Sequence, residues 1–258
     1  MHNENNSFIT IETIRVNDAQ IEHTTDTVAK EVLLTIVVND HEIATLLVSP
    51  QHIHELVCGY LFTYGFINES SEMLNFRLDA QMWIAYVDLP HLPDLSAKQK
   101  KHDTALHHNN AMHTNELSIN QKLHNDLNVD KEQIFALIKK LDKGSDLFTM
   151  TGAVHTSILS DNDTEYCIDD IARHNSVDKV IGRALLDKKN LSSFILARTG
   201  RISSEIVYKV RRAGISVAIS RGAPTDQAVH LCRVMGITLV GFARNRTFNI
   251  YANPERII

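Results

Sequence analysis

The sequence predicts an α/β chain, α+β overall, in which a smaller N-terminal unit of strands and one helix (residues 1–93) precedes a polar linker (94–128) and a layered C-terminal domain (129–258). Three observations predict it. In the last third, short apolar runs alternate with amphipathic stretches at roughly 22 residues per unit, which requires parallel strands joined by right-handed crossovers. In the first third, β-branched runs are separated by turn residues, with a single helical period among them. Between the two lies a histidine-rich stretch without a period, too long for an ordinary connection. At 258 residues and 43% hydrophobic, the chain can bury a sizeable core, divided here between two units.

Taken in order, residues 1–30 are polar and weakly patterned, with one strand expected over Ile9–Val16. Val32–Val38 and Ile43–Val48 flank the turn-forming Asn39-Asp40-His41-Glu42 and read as an antiparallel hairpin. Ser49 is placed to cap a helix and Pro50 suits its first position. Ile53, Leu56, Val57, Tyr60, Leu61 and Tyr64 then form its apolar face before Gly65 ends it. Cys58 within that helix reads as a small core residue, because nothing beside it in sequence lowers a thiol pKa. Phe76–Leu78 and Met82–Val87 read as further strands, and Pro90 and Pro93 close the unit.

The stretch from Asp94 to Leu127 holds His102, His107, His108, His113 and His124 at spacings that match no zinc pattern, with no cysteine to assist. It reads as a solvated loop, either a hinge between domains or a functional flap. Asp130 opens the next helix, with Ile134, Leu137, Ile138 and Leu141 as its stripe and Gly144 as its cap. Leu147–Met150 is expected as a short strand. Ser176–Leu186 is a helix face, Phe194–Ala197 a buried strand, and Ser203–Ala213 a helix ending at Gly214. Strand and helix repeat as Ile215–Ile219, Thr225–Met235 ending at Gly236, and Ile237–Phe242, with Phe248–Tyr251 as an edge strand.

Net charge is −5, unevenly spread. From Ile171 onward there are fifteen Lys and Arg against five Asp and Glu, or +10, which leaves −15 for the first 170 residues. The basic third suits either an anionic ligand or the acidic unit packed beside it. Cys58, Cys167 and Cys232 are too few for a disulfide-stapled secreted scaffold and fit a reducing compartment. The polar start, Met1–Phe8, lacks a signal-peptide core, and no apolar run approaches the roughly 18 residues of a membrane helix. A soluble, cytoplasmic protein is expected, with neither membrane nor nucleic acid as partner.

Chemistry concentrates where strands lead into helices, because helix N-termini there present unpaired N–H groups. Arg198-Thr199-Gly200-Arg201-Ile202-Ser203 and Ser220-Arg221-Gly222-Ala223-Pro224-Thr225 are two such connections. Each suits a phosphate or pyrophosphate, although neither matches a phosphate-loop fingerprint, so ordinary loop chemistry is the rival reading. Asp169-Asp170-Ile171-Ala172-Arg173-His174-Asn175 precedes a helix that Asn175 or Ser176 can cap, with Asp178 in its first turn. His155 and His174 suit proton exchange near neutral pH. The alternative is that His174 and Asn175 satisfy a buried turn, Asp170 pairs with Arg173, and His155 is a core histidine.

TGAVHTS, IDDIARHNSVDKVIG, ARTGRISSEIVYKVRRAGISVAISRGAPT and LVGFARNRTFNIY, in that order, together with VSPQHIHELVCGYLFTYGFI upstream, resemble the formate dehydrogenase accessory sulfurtransferase family (FdhD) over about Val32 to Ile258. The resemblance implies a cytoplasmic, often dimeric protein. Its C-terminal domain would have a cytidine-deaminase-like three-layer α/β/α fold; the deaminase zinc signature is absent from the sequence, so nucleobase deamination is not supported and neither zinc nor a metal-ligand set is expected. It implies sulfur transfer from a cysteine desulfurase to the molybdenum or tungsten bis-pterin guanine dinucleotide cofactor (bis-MGD), in the service of the formate dehydrogenase apoenzyme.

Members that transfer sulfur are expected to carry a Cys-x-x-Cys pair on a loop ahead of the TGAVH motif, which corresponds to about Lys98–His124. That segment contains no cysteine. Two readings follow, a sulfurtransferase and a non-catalytic cofactor-binding chaperone or carrier. The cofactor pocket is expected to comprise Gly152, His155, Asp170, Arg173, His174, Asn175, Gly200, Arg201, Ser220, Arg221 and Gly222. In it, arginines and glycine N–H groups would hold phosphate, while Asp170 and Asn175 would meet base or pterin edges.

Overall fold

The computed structural model describes residues 7–91, 122–123 and 127–258. The linker expected over 94–128 lies outside the described residues apart from 122, 123, 127 and 128, and so do all five of its histidines.

The N-terminal unit begins with a two-stranded hairpin, β1 (Phe8–Val16) and β2 (Ile21–Ala29), paired from Phe8–Ala29 to Val16–Ile21. The second of these strands was not anticipated. Its threonines, histidine and acids hide the period, yet it satisfies its backbone against β1. The predicted hairpin follows as β3 (Val32–Val38) and β4 (His41–Val48), turning through Asn39 and Asp40, both at positive φ. After α1 (Ile53–Thr63), β5 (Asn75–Asp79) and β6 (Ile84–Asp88) complete a four-stranded sheet in the order β4-β3-β6-β5, with β3 and β6 parallel.

Helix α2 (Lys131–Lys143) starts and stops as its sequence indicates. The Asp130 carboxylate accepts from Glu132 N at 2.8 Å, Gln133 reaches back to Asp130 N, and Ile134, Leu137, Ile138 and Leu141 are buried. The expected strand at Leu147–Met150 is instead a short helix, α3 (Asp146–Thr151). Ser145 caps it by accepting from Phe148 N at 3.0 Å, and Gly152 ends it at φ 64°.

The C-terminal sheet has six strands, β7 (His155–Ser160), β8 (Glu165–Asp170), β9 (Ile195–Arg198), β10 (Val217–Ser220), β11 (Thr238–Arg244) and β12 (Thr247–Ala252), in the order β12-β11-β10-β9-β7-β8. The predicted parallel core is β9, β10 and β11, while β7, β8 and β12 run antiparallel to their neighbours. Helices α4 (Arg173–Leu186), α5 (Ser204–Arg212) and α6 (Asp226–Met235) connect the strands.

Strand alternation divides the core in two. Leu196, Ala218 and Leu239 face the cluster that holds α1, α4, α5 and α6, and Ile195, Ala197, Val217, Ile219 and Val240 face α2. The first cluster also contains Leu34, Ile36, Ala85 and Val87 of the N-terminal sheet, so the two sheets share one apolar core. No helix among the described residues is long and apolar enough to cross a membrane.

Helices α1 and α4 cross at very short range. A Cβ on Gly59 would overlap the Asp178 carbonyl oxygen, and one on Gly182 would overlap that of Glu55. Two ion pairs are buried at this junction. Lys179 Nζ lies 2.6 Å from Asp170 Oδ2, both wholly enclosed, and Lys209 Nζ lies 2.6 Å from Asp178 Oδ2.

These pairs correct three local expectations. Ser49 does not cap α1, whose N-cap position is His52 with no side-chain cap bond; its hydroxyl donates to Asp170 and accepts from Lys179 at 2.9 Å. Asp170 pairs with Lys179 and not with Arg173. Asp178 lies beyond the first turn of α4, because that helix already begins at Arg173 after Ala172, so neither Asn175 nor Ser176 caps it. The Asp178 carboxylate bonds Lys209 and also accepts from Thr63 Oγ1 at 2.8 Å.

Candidate functional site

Because β7 is antiparallel to β9 and to β8, the start of β7, the end of β8 and the C-terminal ends of β9 and β10 meet at one edge of the sheet. His155, Asp170, Arg198 and Ser220 therefore arrive together, and the connections to α5 and α6 cover them. The two glycine-arginine loops run side by side. Ile202 bridges Pro224, Thr225 N donates to Ile202 O at 3.0 Å, and Ser220 Oγ donates to Gly200 O at 2.7 Å while accepting from Gly222 N at 2.9 Å. Gly222 lies close against the neighbouring loop, where a Cβ would make a tight contact of 3.3 Å with Arg201 N.

Beneath these loops lies Arg198, fully buried. Its Nη2 donates to the Arg173 carbonyl oxygen at 2.7 Å, but Nε and Nη1 have no hydrogen-bond partner among the described residues. Gly200 packs on this guanidinium, where a Cβ would sit 2.8 Å from Nη2. Burial, reinforced by the Arg173 charge, pulls the Arg198 pKa down to about 9. The group remains cationic at neutral pH, and no carboxylate forms an ion pair with it among the described residues. Ser203 stands at the N-cap of α5 without making a cap bond, and its buried hydroxyl has no partner among the described residues. This edge thus carries the buried Arg198 charge, two guanidinium donors and a hydroxyl that have no hydrogen-bond partner among the described residues.

His155 belongs to the edge, with Nδ1 3.4 Å from Thr199 Oγ1. Burial and the charges of Arg198 and Arg173 lower its pKa. His174 lies in a cleft of about 720 Å³ between the N-terminal sheet and the helices, which Arg173 and Asn175 also line, together with Tyr60, Tyr64, Glu205 and Lys209 among others. Its Nε2 lies 3.2 Å from Glu205 Oε2 but off the line of a hydrogen bond. Burial, aided by Lys209, Arg198 and Arg173, outweighs Glu205 and lowers its pKa to about 3. Burial thus favours the neutral imidazole of His174 at neutral pH.

The expected pocket residues therefore separate. His155, Arg173, Gly200, Arg201 and Gly222 converge, with Arg201 exposed to solvent. Ser220 ties the loops together from a buried position. Asp170 and Asn175 are internal: Asp170 accepts from Ser49, Ala172 N and Asn175, and Asn175 also donates to Leu47 O at 2.9 Å. They hold β4 against the start of α4, and with Asp170 enclosed its carboxylate has no face left for a base or pterin edge. Arg221 turns toward α2, where Nε lies 2.7 Å from Asp142 Oδ1. Gly152 serves as the helix cap. Arg198 and Thr199 complete the site; their signal in sequence was their place at the end of a buried strand, directly before a glycine.

None of the three thiols is activated. Burial pushes Cys58 and Cys232 up to about 12. Cys167 on β8 is exposed as a residue, but partial enclosure of its thiol, with Asp169 and Glu165 alongside, raises it to about 11.

Comparison with known proteins places these features. The model of the FdhD/NarQ family matches residues 29–258. The sulfur carrier protein FdhD of Bacillus subtilis is 33% identical over 253 residues, covering 94% of this chain and 95% of the relative. That of Bacillus pumilus is 36% identical over 246 residues, covering 90% and 91%. A crystal structure of a candidate formate dehydrogenase accessory protein from Desulfotalea psychrophila superposes with a TM-score of 0.79 at 25% identity, covering 98% of this chain and all of that one.

Proposed function

The chain belongs to the FdhD/NarQ family, and on that premise we propose that it is a formate dehydrogenase accessory protein that binds a bis-pterin guanine dinucleotide cofactor of molybdenum or tungsten as its cargo. The observation that carries this reading is the pairing of the two glycine-arginine loops over a buried Arg198 whose Nε and Nη1 make no hydrogen bond among the described residues. Phosphate groups suit such an edge, because an oxyanion there would offset the Arg198 charge and accept from donors that lack partners. Arg201 and Arg173 would orient the phosphates, Gly200 and Gly222 would let the main chain approach them, and neutral His155 would stand beside them as a donor or acceptor.

In the full reading the protein supports sulfuration of this cargo with sulfur from a cysteine desulfurase, and then meets the dehydrogenase apoenzyme. A cytoplasmic homodimer accords with that role. A second reading, a carrier that binds the cofactor without moving sulfur, is favoured by one observation: no cysteine lies between Lys98 and His124, and the three that exist are held as thiols at neutral pH. Co-purification tests the shared claim. Protein isolated from cells that make the cofactor is expected to carry pterin, seen as fluorescence after oxidation, and its absence would sink both readings. Mass spectrometry after incubation with a cysteine desulfurase and cysteine separates them: a persulfide adduct selects the sulfurtransferase, an unmodified chain the carrier.

A further inference from the structure

The cleft that holds His174 lies where β3 and β4 meet α1, α4 and α5, and its volume of about 720 Å³ is that of a small-molecule site. Much of its lining is apolar or flat. Leu33 and Leu47 face each other across β3 and β4 and remain 58% and 51% exposed. Tyr60 and Tyr64 stack with ring centroids 4.3 Å apart. Large exposed apolar groups beside stacked rings suit a planar ligand that is not itself strongly charged.

The polar lining narrows the choice. Lys209 and Asp178 neutralise one another at 2.6 Å. Glu205, whose side chain is 11% exposed, accepts from the Tyr64 hydroxyl at 3.1 Å on Oε1 and has His174 Nε2 3.2 Å from Oε2. That imidazole nitrogen is buried without a hydrogen-bond partner among the described residues, and its ring is held neutral at neutral pH. Arg173 joins the cleft to the sheet edge, since a Cβ on Gly200 would lie 3.3 Å from Arg173 Cβ. The cleft therefore offers a carboxylate and an open imidazole nitrogen between apolar walls, next to loops suited to phosphate. A neutral planar heterocycle with two adjacent N–H donors matches this, because parallel N–H groups pair with the two oxygens of one carboxylate. The amino-oxo edge of a pterin presents such a pair.

We propose that this cleft seats a pterin ring of the ligand, with Glu205 accepting from the pterin's exocyclic amino group and the ring N–H beside it. This rests on the cofactor-binding reading above. Tyr64 holds the carboxylate in place through its hydroxyl, and Glu205 becomes the residue that sets specificity. An analogue with a carbonyl oxygen in place of the amino group would set oxygen against oxygen there and be rejected.

Titration of hydroxymethylpterin into the full chain, followed by the pterin's own emission, tests this. Wild type is expected to bind it about tenfold or more tightly than the corresponding lumazine, in which oxygen replaces the amino group. Glu205→Gln, shown to be folded by circular dichroism, is expected to lose about tenfold or more in pterin affinity and to lose that preference. Equal binding of pterin and lumazine by wild type, or unchanged pterin binding by Glu205→Gln, would overturn the role of Glu205. Displacement of the pterin by an equal concentration of guanosine would assign the cleft to the other ring of the ligand and overturn the proposal. GDP titrated into the same wild-type sample separates the two levels: GDP binding without pterin binding would overturn the cleft assignment alone, and binding of neither would overturn the reading on which it rests.

Discussion

Arg198 reaches the main-chain oxygen of Arg173 at 2.7 Å through Nη2 and, in a fully buried position, leaves its other two guanidinium nitrogens without hydrogen-bond partners among the described residues. A buried, half-satisfied charge is costly to the fold, and replacing it with an apolar side chain of similar length is often neutral or stabilising. Arg198→Met is therefore expected to unfold at a temperature equal to or above wild type while losing at least tenfold in affinity for GDP. Thermal melts and calorimetry on the same sample check both halves. A variant that is less stable and binds as before would show that Arg198 serves the fold alone.

His174 gives a pH signature. Its pKa in the folded chain is lowered to about 3, against about 6.5 when unfolded. Between those values the unfolded chain binds the proton and the folded chain does not, so stability is fully present above pH 6.5 and is lost as pH falls toward 3. Replacement by Gln removes this proton linkage. Urea denaturation of His174→Gln is expected to depend less on pH than wild type across that window, and an unchanged slope would refute the assignment.

The α1–α4 crossing predicts intolerance to a single methyl group. A Cβ on Gly59 or Gly182 overlaps a backbone oxygen of the other helix, which can move only with the whole helix. Overpacking of this kind costs about 1–3 kcal/mol or more. Gly59→Ala and Gly182→Ala are each expected to lower the urea midpoint accordingly. Gly152→Ala adds its methyl to open space and meets only the strain of φ 64°, a smaller loss.

Lys209 and Asp178 test the other buried charges. Burial opposes the charge of Asp178 while Lys209 and Thr63 favour it, so removing one partner strands the other. Lys209→Met is expected to cost about 3–5 kcal/mol, and pairing it with Asp178→Leu is expected to recover much of that loss. A double-mutant cycle reads the coupling, and additive losses would contradict it.

Much of the fold was legible because its signals are local. The stripe and caps of α2, the glycine after α6 and the alternation of β9, β10 and β11 lie within a turn or two of the residues they govern. The misreadings share a cause, competition from distant partners. Ser49 and Pro50 have the local form of a helix start, but Asp170, 121 residues away, takes the serine. Asn175 looks like a cap and is drawn instead to Leu47 O across 128 residues. The loops of the site were visible as glycines and arginines between strand and helix. The turning of Arg221 to Asp142 and the burial of Asp170 follow from packing between elements, which no period in the sequence records.

The proposed function requires the loops around Gly200 and Gly222 to form a cationic site for the phosphates of a guanine nucleotide group. It is tested most directly by calorimetric titration of GDP into wild type and Arg201→Ala, since Arg201 is exposed at the loop and its removal leaves the buried structure untouched. Binding by wild type is expected to weaken about tenfold or more in Arg201→Ala and to fall with added salt. No binding by wild type, or equal binding by both proteins, would contradict it.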